Sequence, residues 1–164
     1  NAYAFKMMSK FKKAQLNFIV CPTENCYLQG RYDSYPKRRG ISRVDELTQN
    51  ELNVSFAQDS ISDPWYPLGN GNLMHQLDFG LHLSHMMSVD EIKNSLKFVT
   101  ENGAKTMCIK DYGIKEGNSA NFVVLDEKNV FDAVRNTAST ILSVRNGKVI
   151  MEKQPEKMLT TYNF

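Results

Sequence analysis

LNVSFAQDSISDPWYPLG, residues 52–69, opens with a short alternating apolar run, Leu52, Val54 and Phe56, and breaks at Gln58-Asp59-Ser60. Alternation of β-branched and aromatic residues predicts a half-buried strand over Leu52–Ala57, and the break leaves Asp59 at its C-terminal end. In parallel α/β barrels that rim is where chemistry is built. Spacing alone leaves three readings of Asp59 open: a rim residue that carries chemistry, a helix cap, or a solvated loop carboxylate. Beyond it, Asp63-Pro64-Trp65-Tyr66-Pro67 sets two aromatics between two prolines.

Upstream of this stretch, Ala4–Lys13 interleaves Phe5, Met7, Met8 and Phe11 with lysines, which predicts an amphipathic helix; the chain opens as if inside one. Leu16–Val20 is a short apolar run closed by Cys21-Pro22 and predicts a buried strand. Residues 23–42 follow as a long loop whose aromatics and lack of Ser/Gly repetition argue for order. Ser42 is placed to cap a helix over Arg43–Gln49, with Asp45 and Glu46 in its first turn, where the helix dipole favours them. Strand, loop, helix and strand in that order predict one right-handed βαβ unit.

Downstream, residues 72–87 form the strongest helical pattern, with Leu73, Met74, Leu77 and Leu81 at steps of three and four. His75, His82 and His85 share its surface, but no carboxylate or cysteine joins them at ligand spacing, so they read as ordinary surface histidines. Ser88 and Glu91 form a capping-box pattern for a second helix, Val89–Asn102, ended by Gly103. After Asn118 the pattern turns strand-rich: Ala120–Leu125, a short helical segment Val130–Arg135, and a hairpin of Ile141–Val144 with Lys148–Met151 around Asn146-Gly147. The boundary between the two parts falls near Ile109–Gly117.

Composition limits the function. The 164 residues are 41% hydrophobic with a formal charge of +2, enough for one core and too evenly mixed in sign for a nucleic-acid stripe. Lys37-Arg38-Arg39 is the one basic cluster, a candidate phosphate site or a salt-bridged loop. Three cysteines, Cys21, Cys26 and Cys108, lack metal-ligand spacing and their odd number argues against a disulfide framework, which points to a reducing, cytoplasmic setting. No apolar run approaches a membrane span, and no leader pattern opens the chain.

LQGRYDSYPKRRG (28–40), DPWYPLGNGNLM (63–74), GLHLSHMM (80–87), DYGIKEGNSANFVVL (111–125) and SVRNGKVI (143–150) resemble, in one order, the C-terminal portion of bacterial cytosine deaminases of the amidohydrolase superfamily. The resemblance implies an α/β fold, the C-terminal part of a (β/α)8 TIM-type barrel (1–110) plus part of a small β-sandwich with its tail (111–164). Leu16–Val20 and Leu52–Ala57 would then be barrel strands seven and eight. It also implies a divalent metal, iron or zinc, held by Asp59, which would handle the proton of the hydrolytic water. Trp65 would line the pocket of a small heterocyclic base. Gln58 and Ser60 stand where the family carries His and a second Asp that can touch the substrate amine. Ser60 offers a hydroxyl without charge there, so related amidohydrolases acting on other amino-substituted rings are alternatives. The family's histidine ligands lie on strands this chain does not carry, so catalysis needs the N-terminal part of the barrel; a homo-oligomer is also open. The contrasting reading is a non-catalytic structural or interaction module whose open barrel edge must be covered.

Overall fold

The structure is a computed structural model that describes residues 1–154. The expected tail beyond residue 154 lies outside the described residues. Helix α1 (Ala2–Lys13) precedes strand β1 (Asn17–Val20), which is followed by α2 (Pro22–Leu28), α3 (Val44–Gln49) and strand β2 (Asn53–Phe56). β1 and β2 pair in parallel, Asn17 opposite Asn53 and Val20 opposite Phe56, so the expected βαβ unit is present. Its connection is not the plain loop expected. Pro22, read as a strand stop, opens α2 at the position where a missing N–H costs nothing.

Two further details of this half differ from expectation. The helix α3 has Arg43, not Ser42, at its N-cap and no side-chain cap; Ser42 contributes its carbonyl to Val44 N instead (2.8 Å). β2 is buried throughout and not on one face only. Its apolar face packs into the core, while the polar face is roofed by amides: Asn53 Nδ2 lies 2.8 Å from Asn17 Oδ1 and 3.0 Å from both Asn102 O and Thr106 Oγ1.

Helix α4 (Leu73–Leu83) carries Met74, Leu77 and Leu81 inward, whereas Leu73 is exposed. Gly80 meets Phe56, and a Cβ there would fall 2.6 Å from the ring. Phe56 in turn stacks on Phe98 with centroids 4.9 Å apart, so the ring has nowhere to retreat. The single helix expected over 89–102 is three pieces: α5 (Val89–Lys93), a 3-10 turn (Ser95–Val99) and α6 (Glu101–Thr106). The Ser88–Glu91 capping box forms as read. Side chains then compete for the helical carbonyls: Asn94 Nδ2 donates to Asp90 O (2.8 Å) and Ser95 Oγ to Ile92 O (2.7 Å). Gly103 lies inside α6 and does not end it.

The remaining strands form a separate antiparallel sheet in the order β3 (Phe122–Leu125), β4 (Thr140–Arg145) and β5 (Lys148–Glu152). Asn146 and Gly147, both with positive φ (49° and 74°), make the tight turn between β4 and β5 that the Asn-Gly pair predicts. Helix α7 (Val130–Arg135) leaves this sheet to pack on α4 and α5, and its Ala133 and Val134 join the same core cluster as Val54, Phe56 and Leu77.

Candidate functional site

The parallel pair β1–β2 ends at Cys21 on one strand and at Gln58-Asp59-Ser60 on the other, with Ala57 N still donating to Val20 O (2.9 Å). Beyond these ends lies a buried polar network that local sequence patterns do not disclose. Glu24, in the first turn of α2, is 1% exposed. Its Oε1 accepts from the Gln58 side-chain amide and from Ser60 N (3.3 Å), and its Oε2 accepts from Thr23 Oγ1 (2.9 Å).

Gln76, wholly buried on α4, completes the set. Its amide nitrogen donates to Gln58 Oε1 and to Thr23 Oγ1, both at 2.8 Å, and its Oε1 lies 3.4 Å from Thr23 N. The partners determine how both glutamine amides are turned. A flipped Gln58 would set its carbonyl against the Glu24 carboxylate and its NH2 against that of Gln76.

Asp59 sits between the two residues this network holds. Its side chain is exposed and has no hydrogen-bond or ion-pair partner among the described residues. Burial, followed by the charges of Asp59 and Glu24, pushes the Cys21 thiol up to about 11, so the strand ends are electronegative. Ser60 is buried, and the Asp63 carboxyl next along the loop is held below its ordinary value chiefly by the backbone N–H of Tyr66. Asp63 Oδ1 accepts from Trp65 N (2.9 Å) and Tyr66 N (3.0 Å), an Asx turn that fixes the start of the Trp-Tyr segment.

The loop then returns to its origin. Ser62 N donates to Gly69 O (3.0 Å), and a Cβ on Gly69 would fall 1.9 Å from Ser60 O. Residues 60–69 therefore form a closed Ω-type loop that follows β2. Tyr66 meets Tyr27 of α2 edge-on, with centroids 6.0 Å apart. Trp65 projects outward, 66% exposed, without a ring contact among the described residues.

The other sequence candidates resolve without a site. Arg38 forks onto Asp33 (2.6 and 2.8 Å) and Lys37 Nζ caps the carbonyls of Arg31 and Asp33 (2.9 Å each), so the basic cluster is largely committed to its own loop. His82 Nδ1 lies 2.9 Å from Asp78 O and 3.3 Å from the Asp78 carboxylate. Among the described residues no group of three or more His, Cys, Asp or Glu could hold a metal ion. The donor set suits a divalent cation only in part: Asp59 offers a free carboxylate in an electronegative setting, one of the three or four ligands such a site needs. Glu24, Thr23 and Gln76 escaped the sequence reading; the signals were Pro22-Thr23-Glu24 directly after a strand and a polar residue, Gln76, beside Leu77.

A family model described as the amidohydrolase family matches residues 3–151. The chain superimposes on the crystal structure of 5-methylcytosine deaminase from Klebsiella pneumoniae liganded with 5-fluorocytosine at TM-score 0.93 and 50% identity, covering 99% of this chain and 40% of that one. Among curated proteins it is 28% identical over 145 residues to N-isopropylammelide isopropyl amidohydrolase of Pseudomonas sp. (strain ADP), and 26% identical over 149 residues to pterin deaminase of Rhizobium rhizogenes (strain K84 / ATCC BAA-868). Each alignment covers 88% of this chain and 33% of the relative, so the chain spans about a third of the length of those curated relatives. It is a mixed α/β segment that matches the C-terminal part of such a deaminase. No helix among the described residues is long and apolar enough to cross a membrane.

Proposed function

The chain belongs to the amidohydrolase family, and from that premise we propose that its strand ends form one wall of a metal-dependent site for hydrolytic deamination of a cytosine-type ring. The observation that carries this reading is the Asp59 carboxylate, without a hydrogen-bond or ion-pair partner among the described residues, at the carboxyl ends of a parallel strand pair. A divalent ion, iron or zinc, would supply hydroxide at neutral pH by lowering the pKa of its water. Asp59 would hold that ion, accept the proton of the attacking water, and return it to the departing amine. Oxygen joins the carbon bearing the exocyclic amine, the C–N bond breaks, and ammonia leaves.

Trp65 would provide a flat wall for the base, which its exposure and its place in a closed loop permit. The family's reliance on several metal ligands supports placing the others, and the remaining barrel strands, outside these residues. The two separate sheets support a boundary near residue 110 between a barrel segment and a β-sandwich segment, the latter as far as the described residues run. Free Cys21, Cys26 and Cys108 support a reducing, cytoplasmic setting. Assembly into a homo-oligomer is compatible with this reading and is not needed by it.

Gln58 and Ser60 direct the choice of ring. Ser60 brings a short neutral group where the cytosine deaminase pattern brings a carboxylate, and the similarity to the Klebsiella protein supports 5-methylcytosine over cytosine. The test compares ammonia release from the two bases by the complete metal-loaded enzyme, with the N-terminal part of the barrel present, and by its Ser60→Asp variant. The expected outcome is a wild-type preference for 5-methylcytosine that moves about tenfold or more toward cytosine in the variant, the scale of one altered polar contact. An unaltered ratio would remove Ser60 from the pocket.

A further inference from the structure

Among the described residues Asp59 has no side-chain partner of its own, so its aim depends on the backbone that carries it. That backbone is gripped on both sides by one atom. Glu24 Oε1 accepts the side-chain amide of Gln58, the residue before Asp59, and the backbone N–H of Ser60, the residue after it. We propose that Glu24 is the positioning residue of this site, the buried acceptor that sets where the Asp59 carboxylate points. This rests on the reading of Asp59 as a metal-holding carboxylate.

The surroundings favour this role over one of packing. Among the described residues Glu24 is buried without an ion-pair partner, and its carboxylate is met by donors: an amide, a backbone N–H and the Thr23 hydroxyl. A buried carboxylate is costly unless its hydrogen bonds are complete. An apolar residue would fill the same space more cheaply, so the position is organised for the hydrogen bonds and not for the volume.

The acceptor is also anchored from a third element. Gln76 on α4 holds Gln58 through Oε1 and holds Thr23, the neighbour of Glu24, through its hydroxyl. Helices α2 and α4 and the end of β2 are thereby joined through one chain of bonds. Outer partners of this kind orient first ligands, and their loss commonly costs about 10–100-fold in metal affinity or activity.

The role separates from mere stability by chemistry at a single atom. Glu24→Gln keeps a carbonyl oxygen able to accept from both Gln58 and Ser60; Glu24→Ala removes it. In the complete metal-loaded enzyme, with the N-terminal part of the barrel present, Glu24→Ala is expected to lower kcat about 10–100-fold with KM within threefold. The metal-free form of that complete enzyme is expected to lose a similar factor in zinc affinity by calorimetric titration, while Glu24→Gln stays within about threefold of wild type in both. Should Glu24→Ala fail to fold, Gln58→Met removes one donor to the same oxygen at nearly constant volume and is expected to weaken zinc binding about tenfold.

Wild-type zinc affinity and kcat in a folded Glu24→Ala protein would overturn the proposal, as would a Glu24→Gln protein as impaired as Glu24→Ala. If Glu24→Ala does not fold, wild-type zinc affinity in Gln58→Met overturns it. Asp59→Ala measured in parallel keeps the two levels apart. If it retains zinc and turnover, the reading of Asp59 fails; if it loses both while Glu24→Ala does not, only the positioning role fails.

Discussion

Arg38 and Asp33 show at the residue scale how a basic cluster can be internal to its loop. The guanidinium beside Asp33 holds that carboxyl down to about 2. The ordinary value in an unfolded chain is about 4, so the stabilising effect of the pair is present above about pH 4 and is lost as pH falls through the folded value. Arg38→Ala is expected to return Asp33 to the ordinary carboxylate range, read from its side-chain NMR shift against pH. A carboxyl that still titrates near 2 would assign the depression to other partners. The buried network around Glu24 is a residue-scale feature of another kind. Its bonds join positions 34 and 53 apart, so no window of sequence contains both ends. The place of Asp59 just past the end of β2, by contrast, was legible because the end of an alternating run can be seen locally, whereas its role as a metal ligand is implied by the family resemblance and not by that spacing.

Among the elements, those with their own punctuation were legible. The Asn146-Gly147 turn, the Ser88–Glu91 capping box and the apolar stripe of α4 each carry their signal within a few residues. Helix α2 was missed because Pro22 marks a helix start and a strand stop alike. The three-piece helix over 89–106 was missed because the side chains of Asn94 and Ser95 turn back onto carbonyls, a choice that helical periodicity does not encode. Gly80 marks the tightest contact between elements, with the Phe56 ring pinned between it and Phe98. Gly80→Ala is expected to destabilise by about 1–3 kcal/mol, the cost of overpacking in a filled core. An unchanged denaturation midpoint would show that the ring moves aside freely.

For the whole molecule, the two sheets are tied by α7. Ala133, Val134 and Ala138 come from the strand-rich part yet lie in the same cluster as Val54, Phe56 and Leu77. That shared core holds α4 against β2, and α4 carries Gln76, so the strand ends are fixed from the back as well as from α2. The parallel pair then presents Asp59 at its carboxyl end, where a loop closed by Gly69 begins. The central claim is that this carboxylate holds the metal and moves the proton in a deamination. The most direct test is ammonia release from 5-methylcytosine by the complete metal-loaded enzyme, with the N-terminal part of the barrel present, and by its Asp59→Ala variant, with near-ultraviolet circular dichroism confirming the fold. Turnover is expected to fall by about 10²–10⁴-fold or more while the fold is kept. Undiminished turnover in a folded Asp59→Ala protein would contradict it.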